Sequence, residues 1–246
     1  LVVRHLSFRR PRTMCISARY TWLATRTDLD VSKHAVLTMF LVDMKTPGIT
    51  AEPMDLLSSH NICTTFFDNV RVPKSALVGE LNKGWKLITG QLNHERVTIC
   101  SPGMLESVYD EVLEWSRETK LSDGRRVIDQ EWAQINLARV HAGLEFLRLS
   151  NWKVAWQATE GELNVADASG IKVFGTEWYL ESFRLMMEIM GQRSYLRPSS
   201  REALLLGHIE TMYRSLLILT FGGGTNEIQR DLIGMFGLGL PRAPRF

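Results

Sequence analysis

The apolar residues of this chain change their spacing once, near Gly84, from every second position to every third or fourth. A chain that does so is neither a β-sandwich nor a helical bundle throughout. Before the change, YTWLATRT (20–27) and LTMFLVDM (37–44) are rich in β-branched and aromatic residues and read as strands, with the polar stretch DLDVSKH (28–34) as their hairpin loop. Pro47-Gly48 marks a turn, and ITAEPM (49–54) and ICTTFFDNVRV (62–72) read as two more strands before Pro73 ends the region. After the change, Ile88, Leu92, Glu95 and Ile99 lie on one helical face, and the helix is expected to run to about Thr119 with a bend near Pro102. Leu137, Val140, Leu144, Leu147, Asn151 and Val154 define a second helix; Leu180, Phe183, Met187 and Met190 a third; Leu205, Ile209, Met212, Leu216 and Leu219 a fourth. FGGGTNEIQRDLIGMF (221–236) then adds a glycine hinge and a short last helix.

The expected fold class is α+β: a partial antiparallel β-domain over 20–80, followed over 81–246 by an up-down four-helix bundle with a short extra C-terminal helix. Residues 1–19 stand apart as an atypical basic segment. Arg4, Arg9, Arg10, Arg12 and Arg19 fall there with no acid, and neither strand alternation nor a helical stripe is visible. The whole chain of 246 residues carries a formal charge of only +2, which gives no footprint for nucleic acid. No apolar run approaches the roughly 18–20 residues of a spanning helix, so membrane insertion is not expected. Cys15, Cys63 and Cys100 lie far apart without a CxxC pair, which fits a reducing, cytoplasmic setting.

Two features carry chemistry. Glu95 shares the stripe of Ile88, Leu92 and Ile99, where loss of water raises a carboxyl pKa toward that of a general base. The same placement also suits a buried ion-pair partner or a solvated edge residue. Gly222-Gly223-Gly224 precedes the last helix and reads either as an anion or cofactor contact or as a flexible turn. Trp132, Trp152, Trp156 and Trp178 read as packing or subunit contacts, His94 as a surface residue, and no His, Cys or Asp cluster has metal-ligand spacing.

Three segments in order, LTMFLVDMKTPGIT (37–50), FFDNVRVPKSALVGELNKGWKLITGQLNHER (66–96) and GGGTNEIQRDLIG (222–234), resemble the acyl-CoA dehydrogenase family over about residues 20–246. The resemblance implies removal of two hydrogens from the carbons beside an acyl-CoA thioester, with FAD as hydride acceptor and an electron-transfer flavoprotein as reoxidant. It implies Glu95 as the base, as in isovaleryl-type and bacterial steroid-side-chain members, because Gly222-Gly223 stands where other members carry Tyr-Glu. The Gly223 N–H is left to donate to the thioester oxygen, and Arg96 either contacts the substrate or anchors the domain. Gly224, Thr225, Glu227 and Gln229 fall where members approach FAD, as do Glu188 and Gly191, with Arg193 a suggested partner for the Glu188 carboxylate.

The resemblance further implies a homo- or hetero-oligomer with a homologous subunit. The family's N-terminal helical domain and first half of the β-domain find no counterpart before residue 20. The chain is therefore expected to correspond to the second half of such an enzyme. A non-catalytic subunit and an inactive truncated remnant stand as alternatives.

Overall fold

The computed structural model describes residues 2–3, 6–11, 19–28, 36–58, 62–161 and 163–242. The chain divides into two compact units, Leu1–Gln91 and Leu92–Phe246. In the first, strands β1 (Val2–Val3), β2 (Leu6–Pro11), β3 (Tyr20–Arg26), β4 (Leu37–Asp43), β5 (Ile49–Met54), β6 (Ile62–Phe67), β7 (Val70–Arg71) and β8 (Leu77–Val78) form three small antiparallel sheets. Their orders are β1-β7, β2-β6-β5 and β3-β4-β8. The register pairs Leu23 with Phe40 and Phe40 with Leu77, so large side chains stack along one face. Leu23, Phe40, Val42, Phe67, Val70 and Val72 form the core of this unit.

Most of the expected loop DLDVSKH lies outside the described residues, but β3 and β4 pair as a hairpin requires, and Thr27 N–H donates to Val36 O at 2.9 Å. The basic N-terminal segment differs from its sequence reading, because β2 pairs along its length with β6 and β1 with β7. Pairing is made by backbone groups and needs no side-chain alternation.

Helix α1 (Gly84–Ile99) begins in the first unit and ends in the second. The second unit continues with α2 (Pro102–Glu118), α3 (Glu131–Glu160), α4 (Val165–Met190), α5 (His208–Leu216) and α6 (Asn226–Leu232). The helix foreseen over 84–119 is thus two. Proline disfavours the helical conformation in the residue before it, and Ser101 is extended at φ −69, ψ 132. The stripes on α3 and α4 meet in the core, through Leu137, Val140, Leu144 and Leu147 on one and Phe183, Met187 and Met190 on the other; Leu180 is only half-buried, and Tyr179 and Met186 are core residues outside the expected stripe. Asn164 caps α4, its Oδ1 accepting from the backbone of Ala166 and Asp167.

The fourth stripe is only partly helical. Leu205, Leu206 and Gly207 are left-handed, at φ 45, 54 and 71, so α5 starts at His208 and gives way to a 3-10 turn at Leu217–Thr220. A side-chain spacing cannot reveal a backbone reversal of this kind, because Ile209 and Leu216 are buried whether or not the preceding turn is helical.

Candidate functional site

The last turn of α1 is held firmly. Asn151 Nδ2 donates to Cys100 O at 3.0 Å, and the Tyr179 hydroxyl donates to Ser101 O. Gly175 on α4 makes the closest approach: a Cβ there would lie 2.6 Å from Cys100 Cβ and 2.8 Å from its Sγ. Burial pushes the Cys100 thiol up to about 12, so it stays protonated and serves as packing.

Lys172, one turn before Gly175, has no exposed surface and reaches the glycine hinge. Its Nζ donates to Thr220 O at 3.1 Å, Gly224 O at 2.7 Å and Asn226 Oδ1 at 2.6 Å. Asn226 Nδ2 donates in turn to Thr176 Oγ1 and Glu177 Oε1, each at 3.0 Å. Three acceptors match the three N–H donors of an ammonium. Burial lowers the Lys172 pKa, as does the Arg96 charge, while Glu227 and Glu177 push it back up.

The hinge is a shaped turn. Gly223 and Gly224 take φ +68 and +97, a region that penalises any side chain. A Cβ on Gly223 would meet Ile99 Cδ1 at 3.1 Å, and one on Gly224 would meet Gln229 Nε2 at 2.5 Å. Gly223 therefore sits against Ile99, which lies one helical turn beyond Glu95 on the same face of α1. Ile88, Leu92, Glu95 and Ile99 are all half-buried.

Arg96 is only 8% exposed. Its guanidinium donates to Asn93 Oδ1 at 2.7 Å, and its Nε is buried without a partner among the described residues. Burial lowers its pKa against the opposing charge of Glu95. An incompletely paired buried guanidinium is costly unless something else meets it.

The remaining expected residues divide. Gly224 and Glu227 are exposed, and Thr225 caps α6, its Oγ1 accepting from Ile228 N–H. The Glu227 carboxyl is held below its ordinary value by its own backbone N–H and by Thr225. Gln229 is fully buried and turned inward, donating to Gly223 O at 3.5 Å while its Oε1 lacks a partner among the described residues. Glu188 and Gly191 lie at the far end of α4, away from the hinge-proximal Lys172. Glu188 pairs with Arg184 at 3.6 Å and accepts from Asn136 at 3.4 Å, while Arg193 donates to Glu202 O instead.

The structure thus sets the Gly223 turn against Ile99, about one helical turn beyond Glu95 and Arg96 on α1, and it adds Lys172, Thr176 and Asn226 at the hinge, which sequence reasoning missed. A signal existed. Continuing the Leu180–Phe183 stripe backward at helical spacing lands on Thr176 and Lys172, polar residues at core positions. His94 is exposed, as expected. No group of His, Cys, Asp or Glu among the described residues is arranged to hold a metal. Among those residues no helix is long and apolar enough to cross a membrane.

The chain matches the family model of the acyl-CoA dehydrogenase C-terminal domain over residues 82–238. It is 48% identical over 234 residues to the acyl-CoA dehydrogenase FadE26 of Mycobacterium tuberculosis, covering 93% of this chain and 58% of that protein. Among solved structures it resembles a chain of the ChsE4-ChsE5 complex from Mycobacterium tuberculosis, with TM-score 0.83, 48% identity and coverage of 92% of this chain and 58% of that one. It also resembles the Tcur3481-Tcur3483 steroid ACAD, with TM-score 0.85, 38% identity and coverage of 93% and 58%. The chain therefore spans a little under three-fifths of the length of these relatives.

Proposed function

The chain belongs to the acyl-CoA dehydrogenase family, and from that premise we propose that it forms the base-bearing half of an active site that introduces an α,β double bond into a bulky, steroid-type acyl-CoA. One observation carries the reading. The half-buried residues Glu95 and Gly223 both adjoin Ile99, one a helical turn before it on α1 and the other packed against its side chain, so a thioester seated there meets a proton acceptor and a backbone donor together.

In this reading Glu95 takes the α-proton of the thioester. Gly223 N–H donates to the thioester oxygen as negative charge gathers on it. Arg96 meets the acyl-CoA with the Nε that finds no partner among the described residues.

FAD, when bound, supplies the hydride acceptor for the β-hydrogen. The hinge would present Gly224, exposed and without a Cβ, to one edge of such a group, beside Thr225 and the exposed Glu227. Gln229 acts from behind by holding the Gly223 carbonyl. Glu188 and Gly191 are assigned to a cofactor shared with a partner subunit, and an electron-transfer flavoprotein is the reoxidant.

Assembly with a homologous subunit follows from α3. Opposite its core stripe it exposes a second one that includes Ile135, Phe146, Leu149, Trp152 and Trp156. A helix that is apolar on two faces needs cover on both. The resemblance to the two-protein complexes ChsE4-ChsE5 and Tcur3481-Tcur3483 favours an unlike partner.

The test is Glu95→Gln in the assembled flavoprotein, assayed with acyl-CoA and a dye acceptor. Turnover is expected to fall by about a thousandfold or more while acyl-CoA still binds. A retained rate removes Glu95 from the mechanism.

A further inference from the structure

We infer that Lys172 is a positioning residue for the reaction: a buried cation, bonded only to neutral oxygens, that fixes the glycine turn from behind and makes its front face receptive to negative charge on a thioester oxygen. This rests on the proposed reading that Gly223 N–H receives that oxygen. The acceptors are the carbonyls of Thr220 and Gly224, one on each side of Gly223, and the side chain of Asn226. A neutral amine would present only two donors to these three oxygens, so the geometry calls for the ammonium.

The charged groups around it are accounted for elsewhere. Glu177 is engaged by Arg230 at 2.8 Å, Glu227 is exposed at the start of α6, and Arg96 adds a second buried cation on α1. Cys100 presents a protonated thiol, whose Sγ lies 3.6 Å from Lys172 O. A core position filled by lysine costs desolvation that an aliphatic residue would avoid. In this fold that cation stands behind the single turn whose backbone must face a developing oxyanion. Its field lowers the energy of an enolate formed there, and its three bonds keep the left-handed Gly223–Gly224 pair from relaxing.

The experiment uses the assembled flavoprotein and acetoacetyl-CoA, a thioester whose enolate is read by its ultraviolet absorbance across a pH series. Two alterations separate charge from clamp. Lys172→Met removes both. Asn226→Asp combined with Glu177→Gln keeps an oxygen on Nζ and neutralises the cation, while the new amide supplies a donor to the new carboxylate.

Both are expected to raise the pH of half-enolisation of the bound thioester by about one unit and to lower kcat about tenfold with KM little changed. If the double variant Asn226→Asp, Glu177→Gln leaves enolisation and kcat at wild-type values, the inference is overturned, even where Lys172→Met fails to fold. If the wild-type protein yields no bound enolate at any pH, or if Glu95→Gln turns over normally, the functional reading itself fails, and the inference falls with it.

Discussion

Replacing Gly175 by alanine tests the packing that relates α4 to the end of α1. The added methyl would sit 2.6 Å from Cys100 Cβ, 2.8 Å from Cys100 Sγ and 3.2 Å from Leu147 Cδ1. Reaching ordinary contact requires a separation of roughly 1 Å between α4 and the Cys100 backbone, because a Cβ cannot swing aside as a side-chain tip does. Overpacking of this kind costs about 1–3 kcal/mol, and two contacts under 3 Å place it in the upper half of that range, at about 2–3 kcal/mol. Alanine in a helix interior returns about 1 kcal/mol relative to glycine. The net expectation is a loss of about 1–2 kcal/mol, which lowers the melting temperature by roughly 2–8 °C in a unit of this size.

Differential scanning calorimetry of single and double variants discriminates the cause. Cys100→Ala in the Gly175→Ala background should restore little, because the Cβ–Cβ clash survives. Cys100→Gly in that background should restore most of it. Activity should fall along with stability, since Lys172 and the turn it holds move with α4. A Gly175→Ala protein as stable as the wild type, or more so, would show that helix propensity outweighs the contact and would refute the reasoning.

Three further expectations follow from particular residues. Leu206 is 86% exposed and left-handed at φ 54, so Leu206→Gly loses no burial and relieves strain; a gain of about 0.5–1 kcal/mol in urea unfolding is expected, and a lower midpoint would count against a strained turn. Glu210 is nearly buried and accepts from Arg214 Nε at 2.8 Å, a hydrogen bond that holds its carboxyl below the ordinary value. Its contribution is therefore present above the unfolded carboxyl pKa of about 4.3 and is lost as pH falls through the lowered native value, so Glu210→Gln should flatten the acid side of the melting curve, and an unchanged slope would argue that the pair adds nothing. Trp152→Glu with Trp156→Glu should lower the light-scattering mass of the assembly while leaving the helical circular dichroism unchanged; a wild-type mass equal to one chain would remove the docking role of the exposed α3 stripe.

The change of period at Gly84, the stripes of α3 and α4, the glycine hinge and the stripe bearing Glu95 were all legible in the amino-acid sequence, because each is a local pattern imposed by burial of one face of one element. The pairing of β2 with β6 was not, since strand association is a backbone event between distant segments and need leave no mark in side-chain spacing. The break at Ser101–Pro102 was foreseen only as a bend, and the left-handed run at Leu205–Gly207 was unforeseen, because side-chain spacing records burial and not dihedral angles.

The site follows the same division. Glu95 and the Gly223 turn are named by sequence, but the seating of Gly223 against Ile99 is tertiary, and so is the capture of Lys172 by the oxygens of the hinge, which sequence places only on a core stripe. The physical reason is that local periodicity reports how much water each residue loses, whereas a hydrogen-bonded cation and the oxygens that satisfy it come together only when helices separated by some fifty residues close around them.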